Sequence, residues 1–241
     1  DAVVARAEAL LAAGADILDI GGESSRPGAE PVTEREELHR VMPVLERLAQ
    51  LDTMISVDTY KPAVAQQVLG AGCHLINDIG GGRDSQMLDV MAQSKGGYCI
   101  MHMQGSPREM QRDPQYQDVV QEVGAFLAAQ VDTAVARGIA PDRLVIDPGF
   151  GFGKTLEHNL QLLAQLRQLR VLDTPILVGM SRKRMLGAVT GKPVEQRLAA
   201  GVAAATVALM QGAAVVRSHD VAATADAVAL VNALDLQPDN E

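Results

Sequence analysis

Seven short runs rich in β-branched and aliphatic residues recur along the chain, each followed by a longer stretch with helical spacing, and this alternation limits the fold more than any other feature. Runs this apolar belong to strands covered on both faces. Strands that alternate with helices pair in parallel, because each helix carries the chain back across the sheet. The runs are Asp16 to Ile20, Met54 to Asp58, His74 to Ile79, Tyr98 to Met103, Arg143 to Asp147, Pro175 to Met180 and Ala214 to His219. Helices are predicted near Val3 to Ala13, from Thr33 onward, and over Pro62 to Gly70, Ser85 to Gln93, Tyr116 to Arg137, Leu156 to Leu169, Val194 to Gln211 and Val221 to Leu234. A short extra turn is predicted around Lys183 to Val189. Thr33 followed three residues later by Glu36 has the form of a capping box.

Without the extra turn there are eight helices against seven strands. A closed parallel barrel pairs each of eight strands with a helix. The expectation is therefore an α/β fold of the TIM (β/α)8 type, a single domain over residues 1–241, with the first strand and its loop lying before Val3 and absent from this chain. An open doubly wound sheet also fits the alternation, but no dinucleotide glycine fingerprint follows the first strand. The 241 residues, 47% hydrophobic, suit one large core, and Gln237 to Glu241 reads as a frayed tail. A net charge of −9 would repel nucleic acid and anionic membranes. No apolar run approaches the roughly 20 residues of a membrane span, and no leader is visible. Cys73 and Cys99 sit inside apolar stretches, which fits a reducing cytoplasm better than a disulfide framework.

At one face of a parallel barrel the C-terminal strand ends converge, so polar residues there meet even when distant in sequence. Nearly every run ends in them: Asp19 and the loop from Gly21 to Gly28, Ser56 to Thr59, Asn77-Asp78, His102, Asp147-Pro148, Ser181-Arg182-Lys183, and Arg217-Ser218-His219. Taken singly, each has a structural reading, as a cap or a satisfied turn. Their coincidence points to a site. The loop Asp147-Pro148-Gly149-Phe150-Gly151-Phe152-Gly153-Lys154-Thr155 ends like a phosphate loop, yet carries Pro148 where that motif needs glycine. Its alternating glycines suggest a backbone that a flat ligand can approach beside an aromatic wall, with Phe in the core as the plainer alternative. The carboxylates come from different strands, and no His pair at helical spacing marks a metal site.

Seven segments in order resemble the dihydropteroate synthase family: Asp19 to Gly28, Ile55 to Thr59, Ile76 to Ile79, Met101 to Gly105, Asp147 to Lys154, Gly179 to Lys183 and Arg217 to His219. The resemblance spans essentially the whole chain. It implies an eight-stranded barrel, usually dimeric, that joins 6-hydroxymethyl-7,8-dihydropterin pyrophosphate to 4-aminobenzoate, with Mg²⁺, and is the target of sulfonamides. It further implies that Asp58, Asn77, Met101, Asp147 and Lys183 bind the pterin. Arg26, Arg217 and His219 would hold the pyrophosphate, and Ser25, Arg26, Pro27, Phe152, Ser181 and Lys183 the aminobenzoate. The roles suit the chemistry: a carboxylate accepts paired N–H donors of a pterin edge, and a planar guanidinium matches phosphate oxygens.

The catalytic set implied is Asp58, Lys183, Arg217 and His219. An aniline nitrogen is neutral at physiological pH, so the demands are a good leaving group and a stabilised developing cation rather than a general base. The family's metal-linked Asn lies in the absent segment, so metal ligands are unknown from this sequence. Ser25 stands where many relatives carry Thr. Two other readings stay open: a pterin-binding methyltransferase domain, which would not need the Arg26 and Arg217/His219 cations, and a catalytically silent pterin-binding module.

Overall fold

The computed structural model describes residues 2–26 and 28–234. Its elements alternate as α1 (Ala2–Ala12), β1 (Ile17–Gly21), α2 (Glu34–Leu48), β2 (Met54–Asp58), α3 (Pro62–Gly70), β3 (Leu75–Asp78), α4 (Ser85–Gln93), β4 (Gly97–Met101), α5 (Val119–Ala136), β5 (Leu144–Asp147), α6 (Leu156–Ala164), β6 (Ile176–Val178), α7 (Arg184–Thr190), α8 (Leu198–Met210), β7 (Ala213–Val216) and α9 (Val221–Ala233). All seven strands are parallel and lie in chain order in one curled sheet. Among the described residues β1 and β7 are its two edges, where a closed eight-stranded barrel was expected.

Local chemistry starts and stops the helices. Asp84 and Asp118 cap α4 and α5 by accepting from backbone N–H groups two or three residues on, and Pro62 opens α3 with its φ already helical. Thr33 caps α2 by accepting from Glu36 N, but the Glu36 carboxylate is engaged by Arg40 at 2.8 Å, so only half of the expected capping box is recorded. A complete box forms instead on α6, between Thr155 and His158. Two predicted long helices are interrupted: α6 gives way to a 3-10 stretch over Leu166–Leu172, and a 3-10 turn at Val194–Gln196 precedes α8.

Side chains alternate between the faces of a strand. One face sends Leu18, Ile55, Val57, Ile76, Tyr98, Ile100, Leu144, Ile146, Ile176 and Val178 into the main core beneath the helices. Each such aliphatic side chain, fully buried, contributes about 1.5–3 kcal/mol. The other face builds a smaller cluster of Leu75, Cys99 and Leu177 with Val145 and Val215. The helix-facing core holds one polar knot: the buried Asp78 carboxylate accepts from Tyr98 Oη at 2.6 Å and from Gly80 N and Gly82 N at 2.7 and 2.9 Å. Asp78 thereby fixes the turn after β3 and faces away from its neighbour Asn77. Tyr98→Phe removes one partner from a carboxylate that water cannot reach, and is expected to cost about 1–3 kcal/mol in urea-induced unfolding.

Candidate active site

The residues two positions beyond the inner cluster decide what the concave end of the sheet can bind. From Leu75, Cys99, Val145, Leu177 and Val215 a step of two leads to Asn77, Met101, Asp147, Gly179 and Arg217 on the same face. Register adds Asp58, opposite Asn77, and Asp147, opposite Met101. Asp19 lies on the same face of β1, opposite Ser56. The strand period thus gathers acids, an amide, a thioether and a guanidinium at one mouth.

Arg217 spans the two edges of the sheet, donating from Nε to Asp19 Oδ2 at 2.5 Å and from Nη2 to Asp58 Oδ2 at 2.8 Å. Asn77 Nδ2 donates to the other Asp58 oxygen. Burial and the charge of Asp19 push the Asp58 carboxyl up to about 7, against the opposing pull of Arg217 and Asn77. Burial acts against the Arg217 cation, but Asp19 and Asp58 outweigh it and raise its affinity for the proton. Asn77 Oδ1 and Asp19 Oδ1 are buried without a partner, so two acceptors near the mouth are unspent. Buried acceptors are ordinarily satisfied, and a ligand donor would satisfy these.

The loop after β5 forms the next wall. Gly149 (φ +68) is required because a Cβ there would lie 1.9 Å from His102 O, and at Gly153 (φ +61) it would lie 2.5 Å from Gln104 O. The glycines therefore admit the neighbouring loop after β4, where the sequence suggested room for a ligand. Phe150 is fully buried in the main core, whereas Phe152 packs against the smaller cluster of Ile79, Met101, Met103 and Met110. Lys183 donates to Phe150 O and holds its ammonium 4.8 Å from the Phe152 ring centroid. Burial lowers Lys183 to about 8, with Asp147 opposing and Arg217 reinforcing the shift. Asp147 is raised by burial, against the pull of Lys183 and of Gly149 N, which donates to it at 2.7 Å.

Across the mouth, His219 donates its backbone N–H to Ser181 Oγ at 3.2 Å, and its ring Nδ1 lies 3.2 Å from the same oxygen. Two residues expected to serve different ligands are therefore direct partners. Burial and the charges of Arg182, Arg217 and Arg26 hold His219 below its ordinary value, against the pull of Asp220. Arg26 is exposed and Ser25 half-buried on the loop after β1; Pro27 lies outside the described residues. Asp58, Asn77, Met101, Asp147, Lys183, Phe152, Arg217, His219 and Ser181 thus share one end of the sheet.

Two residues join this set to which the sequence assigned no ligand or catalytic role. In the sequence Asp19 is only a polar strand end opening the first segment, and its ion pair with Arg217, 198 residues away, gives it a role. Lys154 was set aside with the failed phosphate-loop reading, yet it is 3% exposed and uses its amine on Gly149 O (3.0 Å), Phe152 O (3.1 Å) and His102 Nδ1 (2.9 Å). Burial brings Lys154 down to about 7, and burial with the charges of Lys154 and Arg83 takes His102 to about 2, so the ring stays neutral. A lysine inside a tight glycine loop was the available signal.

A curled parallel sheet whose mouth collects these groups is the architecture of a pterin-binding enzyme, and the family model described as "Pterin binding enzyme" matches residues 1–219. The dihydropteroate synthase of Haemophilus influenzae is 46% identical over 94% of this chain and 82% of its own length. Among solved structures, the Yersinia pestis dihydropteroate synthase in complex with a sulfonamide drug superposes with a TM-score of 0.94 at 47% identity, covering 97% of this chain and 86% of that one. The Burkholderia cenocepacia enzyme complexed with 7,8-dihydropteroate gives 0.90 at 51% identity, covering 96% and 86%. The chain belongs to the pterin-binding enzymes and, within them, to the dihydropteroate synthase family.

Close approach and backbone strain can be separated at two glycines. Gly138→Ala, at φ +91 with nothing within 4 Å, is expected to cost only the left-handed strain of about 1–2 kcal/mol. Gly149→Ala must also push His102 aside, so urea unfolding should register a clearly larger loss at that position.

Proposed function

We propose that this chain joins 6-hydroxymethyl-7,8-dihydropterin pyrophosphate to 4-aminobenzoate, giving 7,8-dihydropteroate and pyrophosphate. The observation that carries the reading is the pairing of Arg217 with Asp58 at one mouth, which sets a cation for a diphosphate beside acceptors for a flat heterocycle. Relatives found with the product and with a sulfonamide support it. Asp147, Asn77 and Asp58 accept the pterin N–H groups, Lys183 donates to its ring acceptors, and Met101 packs on its face. Arg26, Arg217 and His219 receive the pyrophosphate; Ser25, Pro27, Phe152 and Ser181, with Arg26 and Lys183, frame the aminobenzoate, where sulfonamides would compete. In the step itself the bond from the pterin methylene carbon to the pyrophosphate oxygen breaks, its electron pair leaving with the oxygen. The aniline nitrogen supplies the new pair and then releases a proton. Asp58 stabilises positive charge on the methylene, and Arg217 stabilises the departing anion.

Magnesium enters this scheme with its substrate. Among the described residues no group of three or more His, Cys, Asp or Glu side chains could hold an ion, and Mg²⁺ commonly binds through substrate phosphates, water and one or two carboxylates. The seven strands form the larger part of an eight-stranded barrel, whose remaining strand would lie between β7 and β1 as part of the same pterin-binding domain. A homodimer would cover the exposed Leu198, Val207 and Met210 of α8 and Leu230 of α9. The free, buried Cys73 and Cys99 suit a cytoplasmic enzyme. None of the described helices is long and apolar enough to cross a membrane.

Mixing the protein with pterin pyrophosphate, 4-aminobenzoate and Mg²⁺ should release pyrophosphate only when both substrates are present. Binding without release would favour the silent module, and absence of both would end the reading. Because ionised Asp58 is the working form and its carboxyl sits near 7, kcat/KM for the pterin substrate should rise with pH up to about 7 and then level. Asp58→Asn should remove that limb together with about 100-fold or more of the turnover. Stability runs the other way: a carboxyl raised in the fold contributes fully below its ordinary 3.8 and loses that contribution as pH climbs through about 7.

A further inference from the structure

We propose that Lys61, together with Glu23 and Tyr60, positions the second substrate by clamping both ends of the loop that carries Ser25 and Arg26. The inference deepens the proposed function and rests on it for the name of that substrate. The pterin acceptors stand on strands, where sheet hydrogen bonds fix them. Ser25 and Arg26 stand on the long connection between β1 and α2, and a surface loop is held only by what its own residues bond.

The bonds that hold it converge on one ammonium. Lys61, immediately before α3, donates to Glu23 Oε2 at 2.5 Å at the start of the loop and to Val32 O at 2.8 Å at its end. Its third bond goes to Glu37 Oε2 at 2.5 Å, on α2. Glu23 closes the ring by accepting from Val32 N at 2.9 Å and from Tyr60 Oη at 2.8 Å. The cluster is shielded: Lys61 and Glu23 side chains are each 12% exposed and Glu37 1%. Burial works against the Glu23 charge, but Lys61, Val32 and Tyr60 outweigh it and hold that carboxyl below its usual value. Burial likewise opposes the Lys61 cation, and Glu23 and Glu37 reverse it.

Further along, the loop meets the segment after β4 through Gly28 N to Pro107 O at 3.2 Å and an exposed Arg108–Glu30 pair. Exposed pairs contribute little, so the buried base sets the loop's position. Tyr60 also packs against the small cluster of Ile79, Met101, Met103 and Met110, which contains the Met101 of the mouth. None of Lys61, Glu23 and Tyr60 is assigned to either substrate, so the three act through Ser25 and Arg26 as positioning residues.

Steady-state kinetics with each substrate varied in turn tests the clamp. Lys61→Met is expected to raise KM for 4-aminobenzoate about ten- to hundredfold, with a clearly smaller rise in KM for the pterin substrate, whose pyrophosphate loses Arg26 but keeps Arg217 and His219, and Lys61→Arg should recover part of the loss. Tyr60→Phe, which removes only the hydroxyl bond to Glu23, should move the same parameter by about two- to fivefold in an enzyme whose fold is undisturbed. An unchanged aminobenzoate KM in folded Lys61→Met or in Tyr60→Phe, or an equal rise for both substrates, overturns the inference. Calorimetric titration of 4-aminobenzoate in the presence of pyrophosphate and pterin reads the same affinity without turnover. A wild-type protein that binds but does not react, with the variants still weakened, would defeat the reaction and leave the clamp standing.

Discussion

Two carboxylates brought out of water near each other need a cation between them, and in this fold Arg217 is that cation. Asp19 and Asp58 come from adjacent strands at one edge of the sheet and Arg217 follows the strand at the other, so a single side chain ties the two edges. The balance is incomplete, because burial and Asp19 leave Asp58 hard to ionise in spite of Arg217, while Arg217 itself is held tightly. An arriving diphosphate competes for the same guanidinium. Under the proposed reaction, loading the leaving-group site therefore loosens Asp58 from its partner just where positive charge must next be met, so ligand binding and the electrostatics of the step are one event.

Much of this architecture could be read in advance because it is written locally. Continuous apolar runs gave all seven strands, and the step-of-two alternation that buries Val57 also turns Asp58 to the mouth. The boundaries erred where tertiary contacts decide. The run expected to reach Met103 stops at Met101, since the following chain folds against the glycine loop, and β6 is shortened beside a register irregularity with β7 at Ile176/Leu177. Helices were overextended where a 3-10 turn keeps the same apolar spacing, as at Leu166–Leu172. Motif resemblance gave a role to most residues at the mouth, but none to Asp19 or Lys154, although both lie within the segments that carry it. Their partners are a guanidinium at the far edge of the sheet and backbone carbonyls in a folded loop, neither of which composition or spacing reports.

The same contrast separates the two halves of the mouth. The acceptors proposed for the pterin, Asp58, Asn77 and Asp147, sit on strands whose spacing is fixed by hydrogen-bonded ladders, so their geometry survives almost any change outside the sheet. Groups proposed for the aminobenzoate come from loops, and two of those loops carry a buried cation of their own: Lys154 for the segment after β5, Lys61 for the one after β1. A lysine amine suits this task because three donors on a flexible stem can reach carbonyls and carboxylates that no planar group would meet together. Its cost is desolvation, and the two sites meet that cost differently. Lys61 is surrounded by carboxylates and keeps its proton, whereas Lys154 lies mainly among neutral acceptors and is pushed to about 7. The loop after β1 is thus held by charge and the loop after β5 by hydrogen bonds that persist as its lysine approaches neutrality, which makes the former the more sensitive to loss of a single side chain.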